Sequence, residues 1–214
     1  MTAMVSACTR LSAASSLRHR GWWVGDNMTC GDLTTALREE LLELVEQERL
    51  QSAGIGRENN FQIATDIRRD KIFWLSRHRQ VQRQFLDRME ELRLSLNQDL
   101  FLGLFEFEGH FSHYPPGAFY KRHYDSFRGE ANRIVSVVIY LNDDWRAGDG
   151  GELVLYDPDS NDEIVRIEPR AGTMALFLSE EIPHEVLPTQ KHRASISGWF
   201  RLNNSIAGQI DPPR

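Results

Sequence analysis

Cysteine is nearly absent: Cys8 and Cys30 are the only two in 214 residues. That count excludes a disulfide scaffold and a four-cysteine zinc site. The two lack a metal-like spacing and are expected to be buried or inert. Lysine is scarce too, with only Lys71, Lys121 and Lys191, and the excess of arginine reads as composition bias. Positive charge is not in surplus, since 25 basic residues face 31 acidic ones, a net charge of −6. Nucleic-acid binding through counterion release needs a basic face, so nucleic acid is not an expected partner. No run approaches the ~20 apolar residues that span a bilayer, so no membrane is expected either. Residues 1–25 contain no Asp or Glu, a composition like that of a transit peptide. Val5-Ser6-Ala7-Cys8 has the look of a lipoprotein cleavage box, but no apolar segment precedes it, which argues against secretion. A first amphipathic helix is the simpler expectation there.

Hydrophobic residues make up 41% and charged residues 26%, the mix of a soluble globular protein. The length suits one domain, and neither a repeat, a linker nor a low-complexity tract divides the chain. The first half has helical periods. Leu33, Leu37, Leu41, Leu44 and Val45 form one apolar stripe, with Thr29 or Asp32 as cap; Val81, Phe85, Met89, Leu92 and Leu96 form another. Residues 51–62 have no period and hold Gly54 and Gly56, which predicts a mobile loop. The run from Ile67 to Leu75 predicts a short strand, and Trp22-Trp23 a place in the core or at a strand edge.

From Phe105 the texture changes to short apolar runs between turn signals. The runs are Phe105–Tyr114, Ile134–Leu141, Glu152–Tyr156, Ile164–Ile167, Met174–Leu178, Glu185–Leu187 and Ala194–Phe200. Such spacing predicts a sandwich or barrel, and helices followed by strands predict an α+β domain with the helices on one sheet. In the run at 133–141, Val135, Val137, Ile139 and Leu141 share one face, and Ile134, Ser136, Val138 and Tyr140 the other. Both faces are largely apolar, so this strand is expected at the sheet centre. Ser136 and Tyr140 then look into the barrel, where polar groups need a partner or a ligand.

His123 and Asp125 form an H-x-D pair, and His184 follows in Ile-Pro-His-Glu-Val, 59 positions beyond Asp125. Two imidazoles and a carboxylate on one side of an ion are the donor set of non-haem Fe(II) sites. Alternate residues of an extended chain point the same way, so the pair presents both donors to one ion. H-x-D alone is weak, since chance supplies about one in every two chains of this composition. Arg193 strengthens the case. It heads Arg193-Ala194-Ser195-Ile196-Ser197-Gly198-Trp199-Phe200, where period two puts Arg193, Ser195, Ser197 and Trp199 on one face. An Arg there could hold a ligand carboxylate by two parallel hydrogen bonds, although at a strand start it is more often solvated. His110 and His113, three apart in a strand, face opposite sides and are poor co-ligands. Glu180-Glu181 reads as a solvated turn, and Gly117-Ala118 as turn residues or as room for reactants.

Tyr-Pro-Pro-Gly-Ala-Phe-Tyr-Lys-Arg-His-Tyr-Asp (114–125), Tyr-Leu-Asn-Asp-Asp-Trp (140–145), Gly-Gly-Glu-Leu (150–153), Pro-His-Glu-Val (183–186) and the strand at 193–200 together resemble the 2-oxoglutarate- and Fe(II)-dependent prolyl hydroxylases. The hypoxia-inducible-factor type and its bacterial counterparts are the nearest in pattern, and Ile67-Arg68-Arg69-Asp70-Lys71-Ile72-Phe73-Trp74 resembles the family's strand before its second helix. The likeness covers about residues 20–201. It implies a double-stranded β-helix (jelly-roll) barrel with N-terminal helices packed on the major sheet. The single domain, 1–214, would comprise helical support over about 1–100, a barrel core over about 105–201 and a tail at 202–214.

The resemblance implies His123, Asp125 and His184 as the iron ligands. Arg193 and Tyr140 would hold the far carboxylate of 2-oxoglutarate, with Tyr114 beside co-substrate and metal. Arg133 and Trp199 would line the substrate entrance, and residues 51–66 would form a lid over the peptide. The implied cofactors are Fe(II), 2-oxoglutarate and O2, with ascorbate as reductant. The implied partner is a protein with a target proline, and the bacterial pattern suggests a translation elongation factor. A cytoplasmic monomer is expected. The lid and the tail after Arg201 depart from the animal enzymes, so the animal substrate does not carry over. Two other readings stand beside this one: an oxygenase acting on a free amino acid or other small molecule, and a non-catalytic barrel used for binding. The complete triad with Arg193 argues against the second.

Overall fold

The computed structural model describes residues 7–25, 31–54, 66–126 and 132–203. In chain order its elements are α1 (Ala7–Arg20), β1 (Trp22–Gly25), α2 (Gly31–Glu46), β2 (Gln51–Ser52), β3 (Lys71–Trp74), α3 (Gln80–Leu100) and β4 (Glu106–Tyr114). Then follow β5 (Tyr120–His123), β6 (Arg133–Tyr140), β7 (Leu153–Tyr156), β8 (Glu163–Ile167), β9 (Met174–Leu178), β10 (His184–Val186) and β11 (Arg193–Arg201). A seven-stranded sheet runs β1-β9-β6-β11-β4-β3-β2, and a four-stranded sheet runs β5-β10-β7-β8. All the ladders are antiparallel. This is the jelly-roll that the motif set implied.

The helical stripes form helices because one face of each can be buried on the large sheet. Leu37, Leu41 and Leu44 of α2 and Phe85, Met89, Leu92 and Leu96 of α3 pack with Val135, Val137, Ile139, Ile196 and Phe200. The other face of that sheet meets the small one. Tyr114, Tyr140, Ala175 and Phe177 pack there with Leu153, Leu155, Ile167 and Val186. The central strand is therefore covered on both sides, as its two apolar faces required. Gly198 faces Gly109 across β11 and β4, and the Phe107 ring lies over both. A Cβ on Gly198 would stand 2.4 Å from Phe107 Cζ.

Several details differ from expectation. Gln51 and Ser52 pair with Ile72 and Lys71, so the start of the presumed loop is an edge strand; residues 55–65, the body of the expected lid, lie outside the described residues. The run at 67–75 condenses to four strand residues. Strand β5 carried no apolar signal, because Lys121 and Arg122 are both charged and exposed. Asp32 falls in the first turn of α2 and is not its cap, while Thr29 lies outside the described residues. Ile134 packs on the helix side, not on the barrel side. The cause is a slip in the β6–β11 ladder: Val135 faces Phe200, whereas Arg133 already faces Arg201. One extra residue in a strand reverses the faces beyond it.

Candidate metal centre and its surroundings

His123 ends β5 and His184 opens β10, and the two are cross-strand partners. Asp125 sits in the bend just after β5, so it is not on the same regular strand as His123, yet its carboxylate still reaches the pair. His123 Nε2 lies 3.6 Å from Asp125 Oδ1, and His184 Nε2 lies 3.5 Å from Oδ2. Donors that share one ion at ~2.1 Å stand about 3 Å apart, so little movement separates this arrangement from a facial three-donor site.

Each imidazole is held by its other nitrogen. His123 Nδ1 donates to Lys121 O at 2.7 Å and His184 Nδ1 to Ile182 O at 3.2 Å, which leaves both Nε2 lone pairs facing Asp125. Burial, followed by the neighbouring His123, pushes His184 down to about 4 and keeps it in the neutral, ligating form. Burial alone raises the Asp125 pKa. His184, His123 and Arg133 more than reverse this and hold the carboxyl well below its usual range. Ser136, expected to need a partner inside the barrel, donates from Oγ to Asp125 Oδ2 at 2.6 Å and is itself 2.9 Å from Ser179 Oγ.

A second feature lies on the same inner face. Arg193 is 1% exposed, and no carboxylate among the described residues pairs with it. Its Nε donates to Gly151 O at 2.8 Å and its Nη1 to Ser195 Oγ at 3.1 Å. The guanidinium carbon stands 4.8 Å over the Tyr114 ring and 5.1 Å over the Tyr140 ring. Tyr140 Oη is buried without a well-formed hydrogen bond, and burial pushes its pKa up to about 12 against the opposing pull of the Arg193 guanidinium beside it. A buried cation without a counter-ion beside a buried hydroxyl without a well-formed hydrogen bond is costly unless an anion completes it. A carboxylate-bearing ligand fits both. The donor set of the triad likewise suits Fe(II).

Arg133 and Trp199 also come together, the guanidinium 3.5 Å above the indole. Arg133 donates to Glu108 at 3.1 and 3.2 Å, and Arg201 pairs with Glu108 and Glu106 at 2.6 and 2.7 Å. The turn residue Gly117 has φ +81 and bonds back to Thr189 O, so turn geometry accounts for it. His110 and His113 do face opposite ways, His113 meeting His192 and His110 meeting Trp199.

Sequence reasoning missed three supports. Tyr120 stacks on His123 with ring centroids 3.6 Å apart, and Arg68, tied to Asp70 by two hydrogen bonds, lies over the ring of Tyr120. Asn142 grips Ala194 through both its N–H and its C=O, which sets the start of β11 and with it Arg193. The Glu108 network is the third. Spacing alone carries no sign of these: the Asn142 and Glu108 contacts join separate segments, and the Tyr120–His123 stack lies within β5, which has no apolar period.

A model of the 2OG-Fe(II) oxygenase superfamily matches residues 109–201. A crystal structure of a Pseudomonas putida prolyl-4-hydroxylase is 40% identical and superposes with a TM-score of 0.82, covering 90% of this chain and 98% of that one. The Trichoplax adhaerens prolyl hydroxylase, solved with a hypoxia-inducible-factor oxygen degradation domain peptide fragment, is 26% identical at a TM-score of 0.81, with 90% and 88% covered. Human Egl nine homolog 1 is 31% identical over 144 residues, 63% of this chain and 33% of that protein. The chain spans a third or less of the length of that protein and of the Caenorhabditis elegans hypoxia-inducible factor prolyl hydroxylase, of which 12% is covered.

Proposed function

Because the chain belongs to the 2OG-Fe(II) oxygenase superfamily, and within it to the prolyl hydroxylases, we propose that it hydroxylates a prolyl residue of a protein substrate. The observation that carries this reading is the pairing of the His123–Asp125–His184 cluster, whose histidines are on the small sheet, with a buried, anion-deficient Arg193–Tyr140 site on the inner face of the large one. When bound, Fe(II) with 2-oxoglutarate and O2 supplies the oxidising chemistry, one oxygen atom going to the prolyl carbon while succinate and CO2 leave.

His123, Asp125 and His184 would hold the metal, their orientation kept by Lys121 O, Ser136 Oγ and Ile182 O. Arg193 would grip the far carboxylate of 2-oxoglutarate, and the Tyr140 hydroxyl would donate to it. Tyr114 walls the same pocket and excludes water. Arg133 and Trp199 would border the peptide's way in. Ascorbate would serve as the reductant that keeps iron ferrous.

The likeness to two prolyl hydroxylases, one of them solved with a peptide, supports a protein substrate. We take a translation elongation factor as the candidate partner, on the likeness to the bacterial Pseudomonas putida enzyme at 40% identity. No helix among the described residues is long and apolar enough to cross a membrane. A cytoplasmic monomer acting as one domain remains our reading. Anaerobic capture with Mn(II) and 2-oxoglutarate, then mass spectrometry after admitting Fe(II) and O2, tests it. A captured protein that gains one oxygen on proline is expected. Gain on another residue type, or turnover of free amino acids alone, overturns the prolyl assignment.

A further inference from the structure

His110 lies on the inner face of β4 and is 3% exposed. Its ring is wedged between two tryptophans, edge-on to Trp74 at 5.0 Å and to Trp199 at 5.6 Å. Its hydrogen bonding fixes which nitrogen is open. Nδ1 lies 3.2 Å from Phe111 O, which can only accept, so Nδ1 carries the proton. Ser112 Oγ, 3.0 Å from the same nitrogen, accepts from it and passes its own proton to Ser197 Oγ at 3.3 Å. Nε2 is then a bare lone pair. It has no partner within the described fold and is not among the buried atoms sealed from solvent. Burial holds His110 near 4, so the ring is neutral at physiological pH.

The surroundings point outward. Trp74 is 49% exposed although it flanks a buried ring. The Trp199 indole N–H is buried without a partner. The nearby charges of Arg133, Arg201, Glu106 and Glu108 are already paired among themselves. What remains among the described residues is an aromatic slot with one open acceptor, the Trp199 N–H beside it, and nearby charges that are all paired. It is two strands from the metal cluster: Ser136, which bonds Asp125, faces Trp199, and β4 is the next strand beyond β11. Two strand spacings are about 10 Å. An extended peptide covers that in roughly two or three residues.

We propose that His110 is a specificity-determining residue, whose Nε2 accepts the backbone N–H of a substrate residue two or three positions from the target proline, with that residue's side chain laid on Trp74. The inference rests on the prolyl hydroxylase reading. It predicts a rule: the slot rejects a residue that lacks an N–H, proline above all, because the acceptor would be buried unsatisfied.

An oriented library of 15-residue peptides tests this, each with one central proline, assayed for prolyl oxidation by mass spectrometry. A turned-over member is then N-methylated at each flanking residue in turn. Methylation at one position should lower kcat/KM about tenfold in the wild type. In His110→Phe the unmethylated peptide should already be about tenfold poorer, and methylation should cost nothing further. His110→Asn, which restores an acceptor, should recover part of the loss, and the 2-oxoglutarate KM should be unchanged throughout. Methylation tolerated at every position, or a methylation penalty that persists in His110→Phe, overturns the assignment of His110. Failure of the wild type to oxidise proline in any library member while oxidising another residue overturns the prolyl reading itself, and this proposal with it.

Discussion

A buried arginine with no anion is an unfinished arrangement, and it makes Arg193 the most informative single residue of the site. Its contacts to Gly151 O and Ser195 Oγ orient the guanidinium without neutralising it. A charge-assisted contact is worth about 1.5–3 kcal/mol. Arg193→Ala is therefore expected to raise the 2-oxoglutarate KM by about tenfold or more in steady-state assays while leaving the peptide KM little changed. An unchanged 2-oxoglutarate KM would remove Arg193 from the co-substrate site. Asp125 supports the complementary test at the metal. Its two oxygens each face one imidazole, so Asp125→Ala should abolish the one Fe(II) per chain expected by atomic emission, with the far-UV circular dichroism retained. Full metal content in that variant would show that other groups hold the ion.

At the scale of elements, the pairing of β11 with β4 depends on a place where side chains are missing. Gly198 and Gly109 face each other, and the Phe107 ring lies against both while also touching Phe85 and Phe200. A methyl group on Gly198 would meet Phe107 and also Glu108 O at 2.6 Å, and backbone cannot swing aside as a side chain can. Gly198→Ala is expected to cost about 1–3 kcal/mol by denaturant titration. Because Glu108 anchors Arg133, the same change should also disturb the entrance more than the metal centre. Wild-type stability in this variant would mean that the ladder can shift to admit the methyl group.

Across the whole molecule, buried histidines tie stability to acidity. His110 and His113 are both pushed down to about 4, chiefly by burial, with Arg68 acting on His110 and with His192 and Lys71 acting on His113. In the unfolded chain each titrates near ~6.5. Between those values the unfolded state binds more protons, so stability is complete above about pH 6.5 and falls as pH drops toward 4. For His113 the loss amounts to about 2–3 kcal/mol at the acid end of that window. His113→Phe should shrink the difference in unfolding free energy between pH 7 and pH 4.5 by about that amount, measured by chemical denaturation of the metal-free chain. A difference as large as in the wild type would mean that His113 is protonated in the fold.

The sequence by itself determined the helical stripes of α2 and α3, most of the strands and the inward face of Arg193, Ser195 and Tyr140. Those features are written in local periods of 3.6 and 2, which survive without knowledge of what packs against them. Tertiary structure alone decided which strands become neighbours. His184 meets His123 only through the β10–β5 register, and Tyr120 could not be read as a support for His123 because β5 shows no apolar period. Arg133 is the sharpest case. Strict alternation would put it with Val135 and Val137 against the helices, and the extra residue at Ile134 turns it inward over Trp199 instead. A bulge leaves no mark in the alternation of one strand, since it is a mismatch between two, and its position is settled only when both faces of the sheet find what they can bury.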